Sequence, residues 1–309
     1  MDPVKANSIV LRPGRSTAAA FQTICHSCLD HLMRNEPLFR QTGHPEALHQ
    51  MRVALRRLRA ALSLFKKVVI DDRRDQIDGA LRTLVHQLNA ARDTDQFLAK
   101  VAHPVSAEHQ GEPGLRKLVG HFEKRRDQAF AEARQAIDSD EFRDLIGEIR
   151  EWVRGGQWLA SREGGQPVER FARKILKARR RKLAKHARHL ERLSSLQQHK
   201  VRIEAKKLRY GVQFFSCLWT GGKRAARRDK LLEALQRMQD DLGGSHDITV
   251  AHQTLAELAT NPPKGEPPSR KLTFAAGLIV GLQTPRQDPL IAAACDDYRK
   301  FAGAKPFWR

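Results

Sequence analysis

The feature that most constrains the fold is a basic segment that occurs twice along the chain. Residues 49–65 read HQMRVALRRLRAALSLF and residues 199–215 read HKVRIEAKKLRYGVQFF, at an offset of 150 residues with no gap. An acidic segment follows each copy, reading LNAARDTD at 88–95 and LGGSHDIT at 242–249. A repeated unit of this kind buries its apolar face most simply against its copy. We therefore predict two similar bundles, related by an approximate two-fold axis, that arose by internal duplication.

Helical periodicity runs along almost the whole chain, whereas alternating strand patterns are nearly absent, which predicts an all-α fold. Glycines and a proline at 155–167 predict a linker between a first half at 16–160 and a second half at 161–309, after an N-terminal tail at 1–15. A second loop is predicted at 261–268, and both acidic segments are predicted to be turns. The predicted helices cover 16–41, 45–69, 72–91, 93–103, 114–137, 140–154, 167–192, 197–219, 223–242, 247–260 and 269–304.

The chain carries a net charge of +21, which indicates an anionic partner. Residues 1–160 are almost balanced, with 25 Lys and Arg against 21 Asp and Glu. Residues 161–309 hold 31 Lys and Arg against 14 Asp and Glu. The positive charge is therefore concentrated on part of the chain, as expected of a binding surface.

Each repeat copy places its basic residues on one helix face, opposite an apolar face. The first basic stripe consists of His49, Arg52, Arg56 and Arg59, and the second consists of His199, Arg202, Lys206 and Arg209. Arg57 and Lys207 lie to one side of these stripes. A solvated face usually mixes both signs, whereas like charges three or four residues apart repel one another. Two such stripes in register predict an anion-binding surface.

A third basic stripe follows the linker, on the helix predicted at 167–192. Its members recur at helical spacing over roughly 27 Å at 1.5 Å per residue. They are Arg170, Arg173, Lys174, Lys177, Arg180, Arg181, Lys185 and Arg188. Arg179 and Lys182 lie off this line, and a structural role fits them better. A line of guanidinium and ammonium groups suits a linear polyanion and predicts strongly salt-dependent binding.

Several residues leave two interpretations open. His49 and His199 could donate hydrogen bonds to phosphate or, if protonated, add charge; equally, they could bond to the backbone or a carboxylate. Asp93 and Asp247 could cap the following helices or pair with arginines of the stripes. Cys25 lies with Cys28 on an apolar helix face and is predicted to belong to the core.

Motifs of metal binding and of catalysis are missing from the sequence, which contains no HExxH, phosphate-binding loop or nucleophile–base pair. We therefore expect no metal, no cofactor and no enzymatic activity. A signal peptide is not visible, and the longest apolar stretch, at 272–282, is too short to span a bilayer. The expected location is the cytoplasm.

The repeated His-x-x-Arg-x-x-x-basic-basic-Leu-Arg pattern, the ARDTD and GSHDIT segments and the closing KPFW closely resemble the CHAD (conserved histidine α-helical domain) family, over residues 12–309. The resemblance implies a basic cleft or channel that binds inorganic polyphosphate and, in some members, association with polyphosphate granules. The alternatives are nucleic-acid binding, against which the low aromatic content of 6% argues, and a phosphoryl-transfer or polyphosphate-hydrolysing enzyme. The sequence does not predict an oligomeric state.

Overall fold

The computed structural model describes residues 2–260 and 269–308, which form helices and, apart from one isolated bridge between Ser16 and Pro167, no β-structure. The prediction of an all-α fold is confirmed. In chain order the α-helices are α1 (Thr17–Thr42), α2 (Pro45–Leu64), α3 (Asp72–Phe97), α4 (His103–Glu108), α5 (Pro113–Asp138), α6 (Asp140–Gly155), α7 (Val168–His186), α8 (Ser195–Phe215), α9 (Gly222–Thr260), α10 (Arg270–Gln283) and α11 (Gln287–Gly303). The loop predicted at 261–268 lies outside the described residues.

The helices that carry the repeat begin at recognisable caps. Gly43 ends α1 in the left-handed conformation with φ of 66°, which glycine adopts at little steric cost. His44 then accepts a hydrogen bond from the amide of Glu46 at the start of α2. At the start of α8, Ser194 and Gln197 form a capping box. These caps fix where the two basic stripes begin.

The turns predicted at the two acidic segments are wrong. Helix α3 continues through the first segment to Phe97, and α9 runs unbroken through the second from Gly222 to Thr260. Neither segment contains a proline, so its residues keep their helical hydrogen bonds. After α3, a π-helical turn at Leu98–Ala102 leads into α4. Asp93 and Asp247 therefore lie on helix faces, and the prediction that they cap new helices is wrong.

Two predicted helices are shorter than expected. The helix predicted at 269–304 is divided into α10 and α11 by a 3₁₀ turn at Thr284–Arg286, where Pro285 cannot donate a backbone hydrogen bond. The helix predicted at 167–192 ends at His186 as α7, and His189 has a positive φ of 59°. A 3₁₀ turn at Leu190–Arg192 then precedes α8.

The apolar interior of the described residues forms two clusters, and each draws side chains from both halves of the chain. The larger contains the Phe65 and Phe215 rings, which occupy the last position of each repeat and whose centroids lie 5.9 Å apart. The smaller joins residues around α4 and the start of α5 to the end of α9 and to α10. The internal duplication itself stays a prediction from the sequence.

The predicted core position of the cysteine pair is confirmed. Cys25 is 0% exposed and Cys28 is 1% exposed, and both thiols are free. Burial raises the pKa of Cys25 and, despite the nearby charge of Arg57, raises the pKa of Cys28 to about 11. Neither thiol is therefore a reactive thiolate at neutral pH.

The predicted N-terminal tail lies against the helices. Ile9 and Leu11 are buried in the larger core. At the end of this segment, the amides of Thr17 and Ala18 donate hydrogen bonds to the carbonyls of Gln166 and Gly164, at 2.8 and 2.9 Å. The first turn of α1 is thus attached to the linker between the halves.

Candidate anion-binding site

Helices α2 and α8 pack against each other, which brings the first and second basic stripes together. We call Arg52, Arg56, Arg202, Lys206 and Arg209 the basic cluster. The charge of Arg56, on the first repeat, lowers the pKa of both Arg202 and Lys206 on the second, although burial is the larger cause for each. For Lys206, burial and the neighbouring arginines lower the pKa to about 7. The two repeat copies therefore contribute to a single positive site.

On the first-repeat side, Arg52 is held by protein groups. Its Nη2 donates to Oδ1 of Asn89 at 2.8 Å and to Oδ1 of Asp93 at 3.2 Å. The residue is only 8% exposed, and burial lowers its pKa to about 10 even though Asp93 opposes that shift. This is the arginine pairing that the sequence offered as an alternative to capping. Arg59 is held in the same manner, with Nε donating to Oδ1 of Asp78 at 3.0 Å.

On the second-repeat side, the position equivalent to Asn89 is Gly243. A Cβ atom there would lie 3.5 Å from Nε of Arg202, so the glycine leaves the guanidinium next to bare backbone. Asp247 raises the pKa of Arg202, opposing burial, but no ion pair joins the two side chains. Arg202 Nε is buried without a hydrogen-bond partner. The second repeat thus presents Arg202 without the clamp that fixes Arg52.

Three cations of the cluster have no hydrogen bond or ion pair to a protein side chain within residues 2–260 and 269–308. They are Arg56, Arg202 and Lys206. Arg209, at the edge of the cluster, donates to Oε1 of Gln236. Like charges brought together with partial loss of water raise the free energy of the folded state. A bound anion would relieve that cost.

The histidines at the site are held in their neutral form. Burial is the main reason that the pKa values of His49 and His246 fall to about 4, and nearby cations lower them further. The pKa of His199 is lowered for the same reasons, and its ring lies 4.4 Å from that of His246, centroid to centroid. At neutral pH these imidazoles can donate one hydrogen bond each but add no charge.

Two predicted site residues face away from the cluster. The guanidinium of Arg57 lies over the ring of Phe214, 5.5 Å from its centroid. Nζ of Lys207 is 3.7 Å from the buried carboxylate of Glu204. Burial alone would raise the pKa of Glu204, but Lys182, Lys207 and Arg179 together lower it. Lys207 is therefore engaged by a buried carboxylate rather than left open for a ligand.

The third basic stripe divides into parts with different contacts. Nη2 of Arg180 donates to the carbonyls of Ala302 and Ala304, at 3.1 and 2.6 Å, at the end of α11. Four other members line an open cleft beside the N-terminal segment: Arg170, Arg173, Lys174 and Lys177. Further along α7, Arg181 and Lys185 are exposed. Arg179 and Lys182, which lie off the stripe, both pair with Glu204.

The third stripe does not join the basic cluster, because α7 packs on the other side of α8. Glu204 and Gly211 mark the α8 face toward α7, where Leu176 approaches the position of a Gly211 Cβ to 3.3 Å. At 100° per residue, Arg202, Lys206 and Arg209 lie about 180° around the α8 axis from that face. A ligand seated in the cluster is thus separated from α7 by the width of α8.

Residues that the repeat pattern alone did not identify also shape the site. Asn89 and Gly243 determine how each repeat arginine is held, and aligning the two acidic segments places them at the same position. Arg92 flanks His49, and its Nη1 donates to Oδ2 of Asp95 at 2.8 Å. An alignment of the two acidic segments could have identified all three residues, because it shows that these segments belong to the repeated unit.

Within residues 2–260 and 269–308, no group of three or more His, Cys, Asp or Glu side chains is placed to hold a metal ion. In the same residues, no helix combines the length and the hydropathy needed to cross a bilayer.

Comparison with known proteins bears on the fold and the family. The crystal structure of the CHAD domain from the plant Ricinus communis superposes with a TM-score of 0.84, at 28% identity and over 98% of each chain. PptA from Streptomyces chartreusis shares the fold at a TM-score of 0.67 and 17% identity, over 92% of this chain and 100% of that one. No curated protein matches the chain. The family model of the CHAD domain matches residues 23–256, which include both repeat copies, and the chain therefore belongs to the CHAD domain family.

Proposed function

We propose that the protein binds inorganic polyphosphate in the basic cluster and leaves the polymer chemically unchanged. The observation that carries this proposal is the meeting of Arg56, Arg202 and Lys206, which come from both repeat copies and have no acidic partner within ion-pair distance among the residues that the structure describes. A chain of phosphate groups supplies closely spaced negative charge without a bulky or apolar part. Membership of the CHAD family supports the same ligand class.

The geometry indicates a division of roles among the cations. Arg56 and Arg202 can each bind two phosphate oxygens through the planar guanidinium, whereas Lys206 acts as a compact positive charge. Arg52, fixed by Asn89 and Asp93, forms the rigid end of the cluster. Neutral His49 can donate a hydrogen bond to a phosphate oxygen. Binding should release counterions and weaken steeply as salt rises.

Nucleic acid is the competing ligand. Recognition of single strands by proteins commonly uses aromatic side chains on which bases stack. Tyr210 is the aromatic residue next to the second stripe, and it is only 6% exposed. The described part of the cluster therefore offers phosphate-binding groups without an exposed Phe, Tyr or Trp ring on which bases could stack. This observation favours polyphosphate over RNA or DNA.

The test is binding of labelled long-chain polyphosphate at ~150 mM salt, where screening is physiological. Replacement of Arg56, Arg202 and Lys206 by Gln should reduce affinity at least about tenfold, since each lost charge removes one phosphate contact and its counterion release. A control variant removes three exposed charges from α5 instead, at Arg116, Lys124 and Arg125, and should bind nearly normally. Equal affinity in both variants would contradict the proposed site.

Competition distinguishes the ligands. Single-stranded RNA and duplex DNA are added at equal phosphate concentration to the labelled complex, and we expect neither to displace polyphosphate at parity. Displacement at parity would favour the nucleic-acid alternative. Gel analysis of chain length after incubation tests the non-enzymatic proposal, because shortening or extension of the polymer would identify an enzyme. Co-localisation with polyphosphate granules in the cytoplasm tests the expected location.

A further inference from the structure

The cleft beside the N-terminal segment is a second concentration of positive charge. It has a volume of about 700 Å³, and its lining includes Arg170, Arg173, Lys174 and Lys177. All four come from the first half of α7, and together they span about 10 Å along the helix axis at 1.5 Å per residue. No hydrogen bond or ion pair to a protein acid is found for these four side chains in the described chain. Such a concentration of unpaired cations is unusual for a surface with only a structural role.

The cleft is also partly prearranged. The guanidinium of Arg173 lies over the indole of Trp219, 5.9 Å from the ring centroid, and that ring belongs to the core. The cleft contains one acid, Glu169, whose Oε1 accepts a hydrogen bond from the amide of Gly14 at 2.8 Å. This bond ties the N-terminal segment to α7 as one wall of the cleft. Four positive charges then face one carboxylate, of which Oε1 is engaged by Gly14 and Oε2 is buried without a hydrogen-bond partner.

The cleft and the basic cluster lie on opposite sides of α8. The cluster residues point about 180° away from the face of α8 that packs on α7, and the third stripe points away from α8 on the far side of α7. The two sites are therefore separated by at least one helix, or roughly 10–12 Å including side chains. One short anion cannot occupy both.

We propose that the α7 cleft is a second, independent phosphate-binding site and that the protein thereby cross-links polyphosphate chains. The inference rests on the proposed function of the basic cluster for its first site, whereas the cleft is argued from its own geometry. A protein with two sites facing in different directions joins two chains, or two distant segments of one chain. Long polymers joined at many points form networks, because multivalent contacts strengthen assembly without any new contact. The protein would then organise the polymer as well as bind it.

The first experiment counts binding sites with tripolyphosphate, which is small compared with the helix between the sites. Calorimetric titration at low salt should give about two molecules per protein. A cleft variant in which Arg173, Lys174 and Lys177 become Gln should bind about one, and so should the cluster variant with Gln at 56, 202 and 206. The α5 control variant should retain both sites.

The outcomes separate the two proposals. One site in the unmodified protein, unaffected by the cleft variant, would overturn the second site and leave the cluster in place. If the unmodified protein binds one molecule and only the cleft variant loses that binding, the basic cluster is not the binding site, and cross-linking is refuted as well. Two sites that both persist in the cleft variant would refute the assignment of the second site to α7.

The second experiment measures cross-linking directly. Light scattering is followed while protein is added to long-chain polyphosphate at ~150 mM salt, where screening is physiological. The unmodified protein should produce large particles near charge balance that dissolve when either component is in excess. The cleft variant should bind the polymer through the basic cluster but form few particles. Equal scattering from the cleft variant and the α5 control would refute cross-linking through the cleft.

Discussion

Lys206 should make polyphosphate binding depend on pH in a predictable direction. Its pKa in the free protein is about 7, whereas an unperturbed lysine titrates near 10.4. A bound polyanion favours the charged amine and raises the pKa again. Binding then takes up a proton above pH 7, so the contribution of Lys206 to affinity should be nearly constant below pH 6 and should fall as pH rises through 7. Below pH 6, Lys206 is protonated in both the free and the bound protein.

The size of the effect follows from linkage. If the ligand restores the ordinary pKa in full, affinity falls by nearly tenfold per pH unit above the free pKa, or about a hundredfold from pH 6 to pH 9. Incomplete restoration makes the fall smaller but leaves its midpoint near pH 7. The same ligand also raises the pKa values of His49 and His246 from about 4 in the free protein, so histidine protonation should add affinity only at acidic pH, below the ordinary histidine pKa of about 6.5.

The assay is anisotropy of labelled long-chain polyphosphate at fixed salt, at half-unit steps from pH 5 to pH 9. The matched control is Lys206→Arg, which keeps the positive charge but does not titrate in this range. Above pH 6.5, we expect the unmodified protein to lose affinity with rising pH and the Arg variant to remain nearly flat. The same slope in both proteins would refute the reasoning, since the titrating group would then lie elsewhere.

Three other changes test the structural account. Lys206→Met should raise the free energy of unfolding by about 1–2 kcal/mol at neutral pH while weakening polyphosphate binding, because it removes a half-buried amine that pairs with no acid among the described residues. A lower unfolding temperature would contradict this. Gly147→Ala, at an exposed helical position with open space around the new methyl group, should stabilise the protein by about 0.5–1 kcal/mol in denaturant unfolding, and no gain would argue against a continuous α6. Arg180→Ala should cost about 1–2 kcal/mol of stability through the lost bonds to the end of α11 but should leave binding at the basic cluster unchanged; loss of that binding with normal stability would assign Arg180 to the ligand instead.

The sequence predicted the helical class and the two basic stripes, because both follow from local periodicity and from the repetition itself. It did not predict the continuous α9. A pair of glycines beside Ser245 has the composition of a turn. Gly243 instead lies within a helix and faces Arg202, a contact that becomes visible only when α8 packs against α9. Composition alone could not separate these two uses of glycine.

The positions of the basic residues in the candidate site were predictable, because they repeat in the sequence. Which of these side chains is free to bind a ligand was not predictable, because that depends on the residues packed against them. Arg52 and Arg202 are equivalent in sequence, but Asn89 fixes the first while Gly243 leaves the second open. Arg180 fits the spacing of the third stripe, and only the position of α11 shows that it binds carbonyl groups. A helical wheel gives the direction of a side chain, whereas its availability depends on what packs opposite.

The attachment of α1 to the linker has a consequence for synthesis on the ribosome. The first turn of α1 donates to carbonyls of Gly164 and Gln166, and Thr17 Oγ1 bonds to a carbonyl 149 residues later in the chain. At about 5–20 residues per second, the start of α1 must wait roughly 8–30 seconds for these partners to be made. The first half therefore emerges with an unfinished end, and its completion is timed by the arrival of the second. A stall in translation before residue 164 would leave that end open to misfolding.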